Sequence, residues 1–314
     1  MDKKKLGFVI LHYCTTEMTI QSVAAVKEKM ADSNYEIVIV DNASYNGSGK
    51  ELLKRYEKDD KVTVLLSEEN IGFAKGNNIG YSYAKNQLSC DFICVMNNDV
   101  MVEQKDFAER IFREFEKSSF AVLGPHITLK NGQENAMYYK INPVETLIKE
   151  RNGYIKRLKR VNSRLCSMWE IWDNMKRIVR IFLGKIHVME ELKLHEDMVE
   201  GARERHENII LHGCCLIFSP KYLEKFEDAF DPATFMFREE EILYLRCMRE
   251  QLLMVYNPEL EVLHLEDVST DFIYKSNRKK EIFNLENQIA SLKILIQKLQ
   301  EEDKGVRCEK SKVH

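Results

Sequence analysis

The chain has 314 residues, of which 44% are hydrophobic and 31% are charged, a composition typical of a soluble globular protein with one large domain or two small ones. Its net charge of −3 provides no general attraction to nucleic acid. The eight cysteines form no CxxC pair, so neither a zinc site nor a disulfide framework is predicted. No apolar run reaches the roughly 20 residues that span a bilayer, and we expect a reduced, cytoplasmic protein.

The first 125 residues alternate short apolar runs with helical patterns. The apolar runs are GFVILHY, EIVIVDNAS, KVTVLLS and DFICVMNND. This βαβ rhythm predicts a parallel sheet covered by helices. Ligands of such sheets bind beyond the carboxyl ends of the strands. We therefore expect one crevice to be lined by the polar residues that follow three strands, namely Asp41 to Ser44, Asn70, and Asn97 to Asp99.

Residues 138–208 do not continue the alternating strand and helix patterns of the first 125 residues. Residues 149–190 hold eleven Lys or Arg against four acidic residues, and apolar residues recur at helical spacing from Leu165 to Ile186. This pattern predicts a basic amphipathic helix. Two interpretations stay open: a helical insertion that packs on its own domain, or a segment that lies on an anionic membrane and makes the protein peripheral at the inner face of the cell membrane.

The strand pattern returns in NIILHGCCLIFS and LLMVYNPELEVLHL, and the chain then closes with a helical pattern. Apolar residues spaced three and four apart form an a/d seam, made of Ile282, Leu285, Ile289, Leu292, Ile296 and Leu299. The seam covers fewer than three heptads. It fits a helix docked on the domain about as well as a homodimer zipper through residues 282–299.

Asn97, Asn98 and Asp99 end the fourth apolar run. Asn and Asp favour turns, so an ordinary strand exit is one interpretation. The other is a hard-cation site, because a carboxylate at a strand end can hold Mg²⁺ or Mn²⁺ together with the phosphates of a nucleotide. His264 follows a later apolar run. A lone histidine there is usually structural, but an imidazole beside Asp99 would suit an ion such as Mn²⁺.

Two further stretches carry short polar side chains, VDNAS after the second apolar run and NIGFAKGNNIG, which also contains three glycines. Glycine lets the backbone approach a ligand closely, and asparagine offers both a donor and an acceptor. Neither the GxGxxG fingerprint nor the Walker GK[ST] is present, so a dinucleotide or P-loop site is not supported. Asp41 could accept a hydrogen bond from a base or a sugar hydroxyl, or it could cap the next helix.

Three adjacent carboxylates, Glu239, Glu240 and Glu241, lie in FDPATFMFREEEILYLR. Negative charge at a helix N-terminus is favoured by the helix dipole, so a structural role is one interpretation. A general base whose pKa is raised by its surroundings is the other. The three side chains point in different directions around a helix, so at most two can face one pocket.

In this order, the motifs FVILHY, VDNAS, NIGFAKGNNIG, VMNNDV, FDPATFMFREEEILYLR and VLHLEDVST resemble family 2 glycosyltransferases of the GT-A fold. The resemblance covers residues 6–125 and 209–270 and is greatest to the rhamnosyl- and galactofuranosyltransferase-like branch of bacterial surface polysaccharide synthesis. It implies an α/β fold with a mostly parallel, Rossmann-like sheet flanked by helices. The catalytic domain would span residues 1–270, with 138–208 as a helical insertion, and a C-terminal helical tail would span 271–314.

The same resemblance assigns roles to residues. NND looks like the family's DxD-type metal motif, so Asp99, with His264, would hold a divalent cation, Mn²⁺ or Mg²⁺. Glu240 would be the base, although Ile242 replaces the last Asp of the family's usual Glu-Asp-x-Asp-Leu, which leaves Glu239 and Glu241 as alternatives. The nucleotide-sugar pocket would be lined by His12, Asp41, Asn42, Asn70, Gly72, Gly76, Asn77, Asn97 and Asn98.

By analogy with the family, Gly213, Cys214 and Cys215 would lie near the sugar and the acceptor, although strand packing explains the cysteines equally well. The resemblance implies an inverting transfer from a UDP- or dTDP-sugar to a hydroxyl of a glycan or lipid-linked oligosaccharide. One rival is a sugar-nucleotide nucleotidyltransferase, which usually has a glycine-rich basic loop where this chain has HYCTTEMT. The other rival is a catalytically silent partner subunit, which the replacement at Ile242 keeps open.

Overall fold

The computed structural model describes residues 4–134, 141–163, 203–265 and 277–310, with the side chains of the last helix described over 278–301. The chain divides into two compact units. One comprises Met1–Ile141 with Ala202–Lys275, and the other Asn142–Gly201 with Ser276–His314. The predicted amphipathic helix from Leu165 to Ile186 lies outside the described residues.

The described elements alternate strand and helix through the first unit. The strands are β1 (Leu6–His12), β2 (Tyr35–Asp41), β3 (Val62–Leu66), β4 (Phe92–Asn97), β5 (Val100–Val102), β6 (Val122–Leu129), β7 (His206–Glu207), β8 (Cys215–Phe218) and β9 (Met254–His264). The helices are α1 (Thr16–Lys29), α2 (Ser48–Tyr56), α3 (Gly72–Asn86), α4 (Phe107–Ser118), α5 (Val144–Asn162), α6 (Pro220–Leu223), α7 (Glu239–Arg249) and α8 (Asn277–Lys310). Of these helices, α5 and α8 belong to the second unit.

The strands of the first unit form one open sheet in the order β3-β2-β1-β4-β8-β6-β9-β5, with β7 also paired to β9. The four strands from β3 to β4 run parallel, as do β6 and β9. Between these two groups β8 runs antiparallel to both of its neighbours, and β5 runs antiparallel to β9. The prediction of a mostly parallel α/β sheet flanked by helices, as in the GT-A fold, is confirmed.

Helices cover both faces of this sheet because its central strands are apolar on both sides. In β1, Phe8 and Ile10 join one buried cluster with residues of α1 and α4. Val9, on the opposite face, joins a second cluster with residues of α3 and α7. Gly80 of α3 allows a close approach to the sheet, because a Cβ there would lie 2.4 Å from a methyl of Val9.

In the second unit α5 packs against α8. Leu147 and Val161 of α5 are buried, and so are four apolar residues of α8: Leu285, Leu292, Leu295 and Ile296. Arg157 Nε also donates to Glu281 Oε1 at 2.6 Å. Three of the six seam residues, Leu285, Leu292 and Ile296, are therefore buried within one chain. The homodimer through residues 282–299 stays a prediction. Over the part of the chain that the structure describes, no helix combines the length and apolarity needed to cross a membrane.

Candidate active site

Polar residues from four strands meet at one edge of the sheet. In the parallel register His12 lies opposite Asp41, and Leu11 lies opposite Asn97. The far end of β9 reaches the same edge, where His264 pairs with Val100, the residue after Asp99. The strand ends that were predicted to line a crevice thus lie at the same edge of the sheet, and His264, 165 positions from Asp99 along the chain, lies there with them.

Asp99 and His264 form a buried pair in this crevice. His264 Nε2 lies 3.2 Å from Asp99 Oδ1, and both residues are less than one-tenth exposed. The Leu265 N–H donates to the Asp99 carbonyl at 2.9 Å, which fixes the backbone beside the pair. His264 Nδ1 is buried and has no hydrogen-bond partner.

The donor chemistry of this pair fits a divalent cation that takes further ligands from a substrate. A carboxylate with an imidazole suits Mn²⁺, and Mg²⁺ is commonly bound by one or two carboxylates together with substrate phosphates. Within the described ranges there is no cluster of three His, Cys, Asp or Glu side chains suited to a metal. Asp99 and His264 would therefore supply only part of a coordination shell.

The two asparagines before Asp99 face different surroundings. The Asn98 amide is buried and donates to the hydroxyls of Thr15 at 2.7 Å and Thr19 at 2.9 Å, which ties the β4 end to the start of α1. Asn97 is half-buried, and its backbone N–H donates to the Cys214 carbonyl at 2.8 Å. Its side chain makes no hydrogen bond with a described residue, so Asn97 is the one of the two that is free to meet a ligand.

Asn42 and Asn70 shape the loop that precedes α3. Asn42 donates to Asn70 Oδ1 at 3.0 Å and accepts from the Ile71 N–H at 3.0 Å. Asn70 Oδ1 also accepts from the Gly72 N–H at 3.1 Å. Gly72 has a φ of +86°, and a Cβ there would lie 2.3 Å from the Phe235 carbonyl oxygen. The predicted residues of this loop are therefore brought together, and glycine at position 72 is required by the backbone.

Asp41 and His12 are held by the protein itself. The Asp41 carboxylate accepts from the Ser44 N–H at 3.3 Å and packs against Gly49 in the first turn of α2. His12 is fully buried, with Nδ1 2.7 Å from the Thr19 hydroxyl and Nε2 2.8 Å from the Ser48 hydroxyl. Burial lowers the pKa of His12 to about 4, an effect that Asp41 partly opposes. His12 is thus a neutral residue beneath the crevice.

Two further α3 positions that were predicted to line the nucleotide pocket, Gly76 and Asn77, lie close to the sheet. A Cβ at Gly76 would lie 2.6 Å from the Leu11 side chain, so glycine here allows tight helix–sheet packing. Asn77 is buried, and its amide donates to the Phe73 carbonyl at 3.0 Å. The Asn77 Oδ1 atom is buried and has no hydrogen-bond partner.

Two tyrosines beside this loop were missed by the sequence reasoning. The rings of Tyr13 and Tyr45 meet edge to face at a centroid distance of 6.3 Å, and Tyr45 is 67% exposed. An aromatic residue directly after a strand was the available signal, because exposed aromatic faces commonly bind flat ligands.

The three adjacent glutamates have different surroundings. Glu241 is buried and accepts from Arg238 Nη1 at 2.8 Å. Glu239 is buried with Oε1 unpartnered, and burial, followed by the charge of Glu240, raises its pKa to about 8. Glu240 is half-buried and accepts from the Gly213 N–H at 3.2 Å. Burial, then the charge of Glu241, raises the pKa of Glu240 to about 7. Of the three, only Glu240 combines partial exposure with a pKa near neutrality.

The backbone before these glutamates is strained. Phe237 and Arg238 both adopt left-handed conformations, with φ of 74° and 68°, immediately before α7. Consecutive non-glycine residues in this region cost free energy and cluster at functional sites. Phe235 just upstream accepts from the Phe73 N–H at 2.7 Å, which joins the loop before α7 to the loop before α3.

His212 is a second residue that sequence reasoning missed. Its ring lies edge to face with the His264 ring at a centroid distance of 6.1 Å. Burial and His264 lower the pKa of His212 to about 4, against the opposing effect of Asp99. The only signal in the sequence was a histidine in LHGCC, which looked like part of an apolar strand.

The cysteines after His212 are buried in the core. Cys215 Sγ lies 3.6 Å from Cys94 Sγ on the neighbouring strand, so Cys215 serves strand packing. Cys214 follows Gly213, whose N–H donates to Glu240 Oε1, and its own carbonyl accepts from the Asn97 N–H. Burial, then Cys215, Asp99 and Glu240, raise the pKa of its thiol, so both carboxylates act on this residue.

Comparisons with known proteins agree with this architecture. Residues 9–175, more than half of the chain, match the family described as Glycosyl transferase family 2. The matched range includes Asp41, Asn70 and Asp99 but ends before His212 and Glu240.

Two curated proteins match parts of the chain. The low-salt glycan biosynthesis hexosyltransferase Agl10 of Haloferax volcanii is 26% identical over 97 residues, which cover 31% of this chain and 30% of that protein. The glycosyltransferase GlyG of Streptococcus pneumoniae serotype 4 is 26% identical over 135 residues, which cover 43% of either protein. The chain thus spans less than half the length of each relative. Because the family match covers more than half of its residues, the chain belongs to glycosyl transferase family 2.

Proposed function

We propose that the chain transfers a sugar, with inversion, from a nucleotide-diphosphate donor to a hydroxyl of a glycan or lipid-linked acceptor. The observation that carries this proposal is the turn from His212 to Cys214, which contacts His264 of the partial cation site through the His212 ring and the half-buried Glu240 through the Gly213 N–H. The family supports the reaction class, and the names of both relatives support a role as a glycosyltransferase. Synthesis of cell-surface polysaccharide, in the rhamnosyl- and galactofuranosyltransferase-like branch, remains our proposal.

The nucleoside would bind where β1 and β2 end. Asn42 and Asn70 hold the loop before α3, and Gly72 and Gly76 bring its backbone close to the sheet. Asn77 Oδ1 is buried without a partner, whereas the Asn97 side chain is partly exposed and available to a ligand. Tyr45 offers an exposed aromatic face for the base of a UDP- or dTDP-linked donor. His12, Asn98 and Asp41 would act by holding these loops in place.

Asp99 and His264 would hold the divalent cation, Mn²⁺ or Mg²⁺, with the donor diphosphate completing its ligands. When bound, such an ion offsets the negative charge that develops on the leaving nucleotide. Asn97 stands where many family members have an acid. Its neutral amide can hydrogen-bond the ribose or a phosphate without adding to the negative charge of the site.

Glu240 would take the proton of the acceptor hydroxyl as that oxygen attacks the anomeric carbon. A pKa near neutrality suits a general base, because the group is then often ionised yet still basic enough to accept the proton. Glu241 is unsuited because it is paired with Arg238, and Glu239 is buried and mostly protonated at neutral pH. One base and one displacement account for inversion, whereas retention by double displacement requires a carboxylate nucleophile.

A lipid-linked acceptor would place the protein at an anionic membrane surface. The described part of the basic segment 149–190 supports this proposal, since Lys149, Lys156 and Lys159 of α5 are exposed. Changing these three lysines to glutamine should weaken binding to phosphatidylserine vesicles, as measured by co-sedimentation. Lys293→Gln, at an exposed position of α8, is the matched control. Equal binding of the triple variant and the wild type would contradict a role for α5.

Donor binding tests the proposed function. UDP, dTDP and GDP are titrated into the protein by calorimetry, with and without Mn²⁺, for the wild type and Asp99→Ala. We expect one nucleotide to bind in a Mn²⁺-dependent manner, and Asp99→Ala to lose that binding. Asp106→Ala, at an aspartate outside the crevice paired with Arg110, is the control and should bind like the wild type. A folded wild-type protein that binds none of the three would favour the silent partner subunit.

A further inference from the structure

The turn from His212 to Cys214 connects the parts of the crevice. The Gly213 N–H donates to Glu240 Oε1 at 3.2 Å. The Cys214 carbonyl accepts from the Asn97 N–H at 2.8 Å. The ring of His212 packs against the ring of His264. This short turn therefore contacts the end of β4, the end of β9 and the start of α7.

One hydrogen bond fixes the tautomer of His212. The Cys214 backbone N–H donates to His212 Nδ1 at 3.0 Å. A backbone N–H can only donate, so Nδ1 must accept and carries no hydrogen. The hydrogen of the neutral ring is then on Nε2. No described residue accepts a hydrogen bond from Nε2, and the side chain is only partly buried. His212 thus presents an N–H donor that the protein itself does not use.

The order of the strands shows which part of a donor this N–H would meet. The ends of β2 and β1 carry the loops proposed for the nucleoside, β4 comes next with Asn97 to Asp99, and β8 follows with His212 just before it. A nucleotide that starts at Tyr45 and extends in this direction would bring its terminal phosphate past Asp99. His212 lies at that far end, in contact with His264.

We propose that His212 donates its Nε2–H to the terminal phosphate of the nucleoside diphosphate and thereby stabilises the leaving group. This inference rests on the proposed sugar transfer. The anomeric carbon–oxygen bond breaks towards the phosphate, so negative charge grows on that oxygen during the reaction. A fixed donor aimed at developing charge stabilises the transition state more than the ground state. His212 would then define the position of the β-phosphate.

Two substitutions of similar size separate this role from a purely structural one. His212→Asn places an amide oxygen near the position of Nδ1, where it can still accept from Cys214, but removes the donor at Nε2. His212→Gln places an amide N–H near the position of Nε2 and weakens the contact with Cys214. If His212 only supported the turn, the Asn variant would be the milder one. If it contacts the phosphate, the Gln variant would be the milder one.

The experiment measures the affinity of both variants for the nucleoside diphosphate that the wild type binds and for the matching monophosphate, by calorimetry with Mn²⁺. For His212→Asn we expect roughly tenfold to hundredfold weaker diphosphate binding, the usual range for a lost hydrogen bond to a charged group, and unchanged monophosphate binding. His212→Gln should keep most of the diphosphate affinity. The kcat of sugar transfer should follow the same order, and thermal unfolding verifies that both variants are folded at the assay temperature.

The outcomes separate the two proposals. Wild-type diphosphate affinity in His212→Asn, or equal losses for diphosphate and monophosphate, would overturn the role of His212 while leaving sugar transfer intact. A larger loss in the Gln variant than in the Asn variant would do the same and assign His212 to the turn. A wild-type protein that binds no nucleotide at all would overturn the proposed function and, with it, this inference.

Discussion

The two sides of the crevice use their polar side chains differently. On the side formed by β1, β2 and the start of α3, the amides of Asn42 and Asn70 are engaged with the backbone and with each other. On the side formed by β8, β9 and the start of α7, Glu239 Oε1 and His264 Nδ1 are buried without partners, and Glu240 has a raised pKa.

This difference indicates a division of labour. Satisfied hydrogen bonds make a rigid loop, which suits the binding of a nucleoside in a fixed position. Unsatisfied and strained groups are costly to the fold and are retained where chemistry needs them. The first side would therefore control donor affinity, and the second side would control the rate of transfer. Asn77 Oδ1 is the exception, an unsatisfied atom on the rigid side.

The largest loss of activity is expected when Glu240 is substituted, and this substitution tests the proposed division most strongly. Glu240→Gln should lower kcat by roughly 10²–10⁴-fold, the usual contribution of a general base, with little change in nucleotide affinity. In the wild type the base must be ionised, so the rate should rise with pH through about 7, where its pKa lies. Glu250→Gln, at the other end of α7 on a residue paired with Lys225, is the control. A retained rate in the Glu240 variant would contradict the assignment.

A smaller loss of kcat is expected when Glu240 is retained but its carboxylate is displaced. A Cβ at residue 213 would lie 2.4 Å from Glu240 Oε1, so Gly213→Ala should push the carboxylate away. Misplacing a catalytic group by about 1 Å can cost up to roughly 10²-fold in rate. We expect kcat to fall with the fold retained, as measured by steady-state kinetics and circular dichroism. Gly153→Ala, at a position with open space around it in α5, should leave kcat unchanged.

On the side formed by β1, β2 and the start of α3, substitutions should mainly lower the free energy of unfolding. Gly72→Ala combines a φ of +86° with a contact of 2.3 Å to the Phe235 carbonyl oxygen. Gly47→Ala is a matched control, with a φ of +81° and nothing within 4 Å. The control should lose only the left-handed strain, about 1–2 kcal/mol, in urea unfolding. Gly72→Ala should lose more unfolding free energy than the control and should also weaken nucleotide binding. Equal losses of stability in the two variants would show that the contact with the Phe235 carbonyl does not contribute.

The smallest effect concerns Glu239. Folding raises the pKa of this carboxyl from 4.5 to about 8, so the stability that it contributes is full below 4.5 and is lost as the pH rises towards 8. Glutamine cannot ionise, and Glu239→Gln should therefore gain stability relative to the wild type across that pH range. Unfolding midpoints measured from pH 4.5 to pH 8 would show a growing difference. A difference that does not change with pH would mean that Glu239 is not buried as a neutral acid.

Much of the fold could be predicted from the sequence because its central strands are apolar runs with polar ends. The run ending at Asn97 and the run ending at Asp41 are two examples, and their registers place these residues at one edge. The three-residue strand β5, Val100–Val102, could not be predicted, because it is too short to show a pattern and exists through its pairing with β9.

The site was harder to predict than the fold. Asp99 and His264 could be joined only through the family resemblance, because nothing local links residues so far apart in the chain. Three adjacent glutamates look alike in a sequence, and only their partners distinguish them. His212 was missed because a histidine within an apolar run resembles a core residue, and its tautomer depends on a turn that sequence patterns do not show.

The most direct test of the division between the two sides compares Asp99→Asn with Glu240→Gln in one experiment. Each variant is titrated with the nucleoside diphosphate that the wild type binds, in the presence of Mn²⁺, and each is then assayed for sugar transfer. We predict that Asp99→Asn loses the Mn²⁺-dependent binding, whereas Glu240→Gln binds like the wild type and transfers almost no sugar. Loss of binding in Glu240→Gln, or wild-type binding in Asp99→Asn, would contradict the account.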